Sequence, residues 1–186
     1  MHDQRQDEVE KQKIEIAKVF NHPLYHKKTK HHDVSVLKLK NRIRFGEHVQ
    51  PACMAHVGWR LPEGFTCVVS GWGQTTSSAS SLSKVLNQAA LNHMKDSDCF
   101  VLYQNAGLDT TDDMQCFGTR QSELNHQGAC NGDSGGPLQC YIHGKWYWSG
   151  IVSFGASGCD INIASVYGKT YDQDIQTFIT STIDQN

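Results

Sequence analysis

Along most of the chain, apolar and polar positions alternate over short runs that break at Gly, Asn or Pro. Ile14, Ile16 and, after a one-place shift, Val19 begin a strand that stops at Asn21-His22-Pro23, and residues 34–40 form a second. Further strands are predicted at 65–70, running into Gly71-Trp72-Gly73, and at 84–91, 114–117, 137–142, 145–154 and 164–171. Period-two alternation puts successive side chains on opposite faces of a sheet, and repeated short strands with Gly-rich turns predict an all-β sandwich or barrel. Only the C-terminus follows another period. Tyr171, Ile175, Phe178, Ile179 and Ile183 keep a 3.6-residue repeat behind Asp172, a good N-cap, which predicts a helix packed on the β structure. The serine-rich run at 77–83 reads as a surface loop, because strand patterning resumes directly after it.

The 186 residues suffice for one domain, or at most two, with a real core. No apolar run approaches the roughly 18 residues of a membrane helix, so no membrane partner is expected. Lys plus Arg total 17 against 19 Asp plus Glu, and a net charge of −2 gives no field that would draw in nucleic acid. Seven cysteines favour an oxidising, extracellular compartment, and their odd number leaves one thiol unpaired within the chain. The opening MHDQRQDEVEKQK is charged throughout and is no secretory leader. Either the protein is cytosolic and the cysteines mislead, or it is secreted and its true beginning, with the signal peptide, is missing. No C-x-x-C pair occurs, and neither metal nor cofactor is expected.

The stretch that carries chemistry is GACNGDSGGP, residues 128–137. Glycines on both sides of Ser134 let the backbone take a tight turn that other residues resist. A nucleophilic serine needs such a turn, with its hydroxyl presented outward and N–H groups free to hold a developing oxyanion.

This segment resembles the nucleophile segment of the chymotrypsin-like (trypsin-like) serine endopeptidases, and other segments fit in the same order. His32-Asp33-Val34 followed by Ser35-Val36-Leu37-Lys38-Leu39 is similar to the strand that carries the triad aspartate. Val49-Gln50-Pro51-Ala52-Cys53, Ser70-Gly71-Trp72-Gly73, Met114-Gln115-Cys116-Phe117-Gly118 and the run from Ser149 to Gly155 are similar to further family segments. The resemblance implies two six-stranded antiparallel Greek-key barrels and a C-terminal helix. Residues 1–58 would form an incomplete N-terminal barrel, and 59–186 the C-terminal barrel with the helix.

It also implies roles. Ser134 and Asp33 would be catalytic, and the N–H groups of Gly132 and Ser134 would form the oxyanion hole. Asp133 would take the activation ion pair with a new N-terminus. Gly128, Ser153, Phe154, Gly155 and Ser165 would line the pocket for the substrate side chain. With Gly128 uncharged at its floor, that side chain would be uncharged and apolar, as in the elastase or chymotrypsin branch. By the family's pairing Cys67 would bond Cys140, Cys99 would bond Cys116 and Cys130 would bond Cys159. Cys53 would be left for a propeptide or light chain upstream. Protein or peptide substrates and protease inhibitors are the implied partners. In the loop 1–11 Met1 and Lys11 fall near the positions of the family's calcium carboxylates, so no calcium is expected.

One part is lacking. The mechanism needs a histidine between Asp33 and Ser134, carried in an Ala-Ala-His-Cys-type segment, and none of the ten histidines stands in that context. Ala55-His56 follows Cys53 and reads as exposed connection, while His31 and His32 adjoin Asp33 and point at least one ring away from the site. The N-terminus is also absent that would pair with Asp133. This predicts an unpartnered Asp133 carboxylate, a collapsed oxyanion hole and no useful activity from these residues alone. The alternative is a non-catalytic homologue acting as a binding or regulatory module.

Overall fold

The computed structural model describes residue 3 and residues 11–105, 107–119, 127–160 and 162–185. Two strands open the fold: β1 (Ile16–Asn21) and β2 (Ser35–Leu39) pair antiparallel as a separate ribbon. A short β3 (Cys53–Met54) follows, then β4 (Thr66–Gly71), β5 (Asn87–His93), helix α1 (Asp96–Gln104) and β6 (Met114–Gly118). The chain ends with β7 (Pro137–Ile142), β8 (Lys145–Phe154), β9 (Ser165–Lys169) and helix α2 (Gln173–Asp184).

Six of these strands close on themselves. The sheet runs β7-β4-β5-β6-β9, and β8 bonds both β7 and β9, so an antiparallel barrel forms without a free edge. Outside it, β3 lies parallel to β8, Cys53 opposite Tyr147. The fold is thus all-β with one complete six-stranded barrel and a C-terminal helix, and of an N-terminal barrel the described residues form the two-stranded ribbon.

Inward positions follow the period-two pattern. In β4 and β5, Cys67, Val69, Ala89 and Leu91 are buried, with the half-buried Val68 and the exposed Ala90 between them. They meet Phe117, Leu138, Val152 and Tyr167 from the other strands, and Leu91, Phe117, Leu138 and Tyr167 are fully buried. A second cluster unites Tyr103 of α1 with Met114, Cys116 and Val166. The third joins the halves: Val34 packs on Ile151 of β8 and on Ile175 and Ile179 of α2. Asp172 caps α2 by accepting the N–H groups of Asp174 and Ile175.

One polar network crosses the core. Gln115, fully buried, donates to the Ser149 carbonyl at 2.8 Å and accepts the Tyr171 hydroxyl at 2.8 Å, so burial leaves its amide satisfied. Gly150 must be glycine beside it, since a Cβ would lie 2.9 Å from Gln115 Nε2 and 3.2 Å from Leu138 and Tyr167. Three disulfides, Cys67–Cys140, Cys99–Cys116 and Cys130–Cys159, staple the barrel, while Cys53 is a free, half-buried thiol. No described helix is long and apolar enough to cross a membrane.

Candidate active site

Ser134 sits at the crest of two successive turns. The Asp133 N–H donates to the Cys130 carbonyl and the Gly136 N–H to the Asp133 carbonyl, with Gly132 and Gly135 at φ of +95° and +79°. These are left-handed conformations that glycine takes at little cost. The turns are tied to β8 by the Gly135 N–H on the Val152 carbonyl and the Val152 N–H on the Gly136 carbonyl. Among the described residues neither the Gly132 nor the Ser134 N–H has a carbonyl acceptor, and the exposed Ser134 hydroxyl has no hydrogen-bond partner.

Asp133 turns the other way. Its Oδ1 accepts the Gly73 N–H at 2.8 Å and its Oδ2 the Cys130 N–H at 3.0 Å, so the expectation of an unpartnered carboxylate is not met: backbone amides hold it. Gly71 and Gly73 have no room for a side chain there, because a Cβ would overlap that carboxylate. Burial, with the Asp133 charge second, pushes the Tyr167 phenol up and keeps it neutral. A cavity of about 230 Å³ opens beside Asp133, lined by Ser70, Gln74, Asn87, Gln88 and Ala129 among others.

Below Ser134 lies a second cavity of about 240 Å³. Gly128, Ser134, Ser153, Phe154, Gly155 and Ser165 all line it, so the residues singled out from sequence meet at one place. The Ser165 hydroxyl faces Gly155, where an added Cβ would stand 3.3 Å from its oxygen. Asp160 lines the cavity too, and sequence reasoning had passed over it; the Cys130–Cys159 bridge brings it there, and its Oδ1 accepts both the backbone and side-chain N–H of Asn162.

Asp33 reaches this cavity through Ser153, whose hydroxyl donates to Asp33 Oδ2 at 2.6 Å. A lining hydroxyl and an Asp from the ribbon are thereby coupled across the two halves. Asp33 stands at the centre of a three-residue turn closed by the Val34 N–H on the His32 carbonyl at 2.8 Å.

The histidines gather elsewhere. His32 is stacked between His31 (ring centroids 3.8 Å apart) and His22 (4.3 Å), and His22 meets Phe178 of α2 edge-on. Among the described residues no histidine ring hydrogen-bonds Asp33 or Ser134. His56 is exposed, as expected. No described group of three or more His, Cys, Asp or Glu could hold a metal ion. The loop 1–11 considered for calcium lies outside the described residues except for Asp3 and Lys11.

A serine on a Gly-rich turn, a cavity under it and a half-buried hydroxyl link to an aspartate are the parts of a serine-nucleophile site. The trypsin family model matches residues 1–178, and the chain belongs to that family of serine proteases. It is 32% identical over 155 residues, 83% of its length, to transmembrane protease serine 9 of Rattus norvegicus, and spans 14% of that relative's length.

Proposed function

We propose that this chain supplies the nucleophile half of a secreted serine endopeptidase that cleaves peptide bonds through an acyl-enzyme. Ser134 attacks the scissile carbonyl, the N–H groups of Gly132 and Ser134 hold the oxyanion, and Asp33 orients the general base. The observation that carries the reading is the common cavity: Ser134 and Ser153 line it together, and Ser153 bonds Asp33. The mechanism needs a histidine as general base, and among the described residues no histidine bonds Asp33 or Ser134. Asp133 remains the acceptor for an activating ammonium group, its carboxylate here held by the Gly73 and Cys130 amides. Cys53, free beside Tyr147, is the attachment point for an upstream propeptide or light chain.

The cavity takes an uncharged, apolar side chain of the elastase or chymotrypsin type. Gly128 brings no charge to its lining; Asp160 is an acidic side chain there, with Oδ1 held by Asn162. By the serine-protease template, loss of one triad member leaves about 10³–10⁴-fold acceleration over water, which is a ceiling for these residues alone. A phosphonate probe with an apolar side chain, applied to the chain and to Ser134→Ala, tests this. Slow labelling confined to Ser134 is expected; labelling at the rate of a complete protease overturns the inactivity.

A second reading, a non-catalytic homologue that binds rather than cleaves, is favoured by Asp33 having, among the described residues, the Ser153 hydroxyl and no histidine as its side-chain partner. It gains if Ser134→Ala binds the same probe side chain with unchanged affinity and Ser134 is never labelled.

A further inference from the structure

We infer that Asp113, in the loop before β6, is a positioning residue for Asp33; the inference rests on the reading of Asp33 as the acid of the site. Asp113 belongs to the C-terminal barrel, its side chain is 3% exposed, and its Oδ2 accepts the His32 N–H at 2.8 Å. Oδ1 accepts the Thr111 hydroxyl and lies 3.4 Å from His31 Nε2. The Asp113 carbonyl in turn accepts the Lys169 N–H of β9 at 2.6 Å, so the acceptor is anchored in the barrel sheet.

The bond matters because of the backbone it holds. His32 has φ of +53° and Lys30 has φ of +61°, left-handed conformations that a residue with a Cβ keeps only where its surroundings impose them. The carboxylate of Asp113 supplies that constraint at His32. Asp33 is the next residue, and the turn it centres is closed from the His32 carbonyl, so His32 sets the direction in which the Asp33 side chain leaves the ribbon. Were His32 to relax to negative φ, the Asp33 carboxylate would swing off the Ser153 hydroxyl. A side chain that only filled space here would be apolar, because a buried carboxylate is costly without donors, and Asp113 has donors from both halves of the molecule.

Amide hydrogen exchange and the Asp33 Cγ resonance of the isotope-labelled chain test the inference without any turnover. Asp113→Leu keeps the shape and removes the acceptor, Asp113→Asn restores a neutral acceptor, and Ser153→Ala marks where the Asp33 resonance stands once its hydroxyl partner is gone. Exchange at His32 and Val34 should rise about ten- to a hundredfold in Asp113→Leu, as for loss of a charge-assisted hydrogen bond. Leu138 and Val166 should keep their protection, the Asp33 resonance should move to its Ser153→Ala position, and Asp113→Asn should largely reverse both changes. An unmoved Asp33 resonance, an Asn variant that behaves as Leu does, or equal loss of protection across the barrel overturns the inference. If Asp113→Leu does not fold, Asp113→Asn is read against wild type: severalfold faster exchange at His32 with Asp33 moving in the Ser153→Ala direction supports it, and no change overturns it. An inactive chain whose Asp33 follows Asp113 keeps the positioning and loses only the catalytic reading.

Discussion

The barrel and the ribbon are built from the same alternation of apolar and polar residues, yet the two meet opposite fates. In the barrel each strand has a neighbour on both sides, and the inward residues Leu91, Phe117, Leu138 and Tyr167 are wholly buried. In the ribbon, among the described residues, β1 and β2 have only each other. Val36 faces α2 and Ile151, but Val19 and Leu37, opposite one another in register, are 51% and 50% exposed. Alternation marks which face seeks a core, and a second layer must be present to provide one. What fixes the ribbon is therefore its contact with α2 and the barrel: Val34 in the third cluster, the His32 N–H on Asp113 and the Ser153 hydroxyl on Asp33.

The largest effects should separate the two regions. Phe117→Ala empties a fully buried site and should cost about 3–5 kcal/mol, whereas Leu37→Ala on the ribbon should stay within about 0.5 kcal/mol. Urea unfolding of both variants measures this. A Leu37→Ala cost near that of Phe117→Ala would mean that the outer face of the ribbon is covered. Next comes the staple between β4 and β7: opening the 73-residue loop by Cys67→Ala with Cys140→Ala should cost about 4 kcal/mol by the loop-entropy relation. The ribbon has no such tie, so its exchange protection should fall no more than that of the barrel.

Much of this division was legible in the residues. β7 and β8 run where their alternation predicts, and α2 begins at the cap Asp172. β5 starts later than its apolar pattern, since Val85 pairs with Asp3 and its N–H and carbonyl engage the Ser83 hydroxyl. α1 was not foreseen. Only Cys99 and Tyr103 form its buried face, while Phe100 and Val101 are apolar but exposed, which erases the helical period. The cavity residues were readable because a motif brackets them. Asp160 and Asp113 were not, for one reaches the cavity through a disulfide and the other meets His32 across 81 residues. Neither has a local signal.

A smaller effect tests how α2 serves both regions. Asp172→Ala removes the acceptor for the Asp174 and Ile175 N–H groups and should cost about 1 kcal/mol. Because Ile175 and Ile179 pack against Val34, protection at Val34 and Val36 should fall further than at Leu138, as read by amide exchange. Equal loss everywhere would show that the ribbon does not depend on α2.

The last and smallest contrast is with pH, since each region holds one buried histidine whose imidazolium is disfavoured. Burial lowers His22 below the ordinary value of about 6.5, His32 beside it lowers it further, and Asp174 and Asp113 pull it back up. Burial lowers His93 in the barrel too, against the Pro62 carbonyl and Asp96. For a depressed imidazole the unfolded chain binds more protons, so stability is full above about pH 6.5 and declines as pH falls toward the folded-state value. The consequence differs by place. His93 lies within the closed sheet, beside Phe117, and its charging must oppose the whole barrel. His22 is at the end of the ribbon, on the His32 ring and against Phe178, so its charging opposes only the docking of the ribbon on α2. Protection corrected for intrinsic exchange, compared at pH 7.5 and 5.5, should fall at Val34 and Val36 before it falls at Leu138. His22→Asn should flatten the first change and leave the second. Simultaneous loss in both regions would mean that the ribbon and barrel open as one unit.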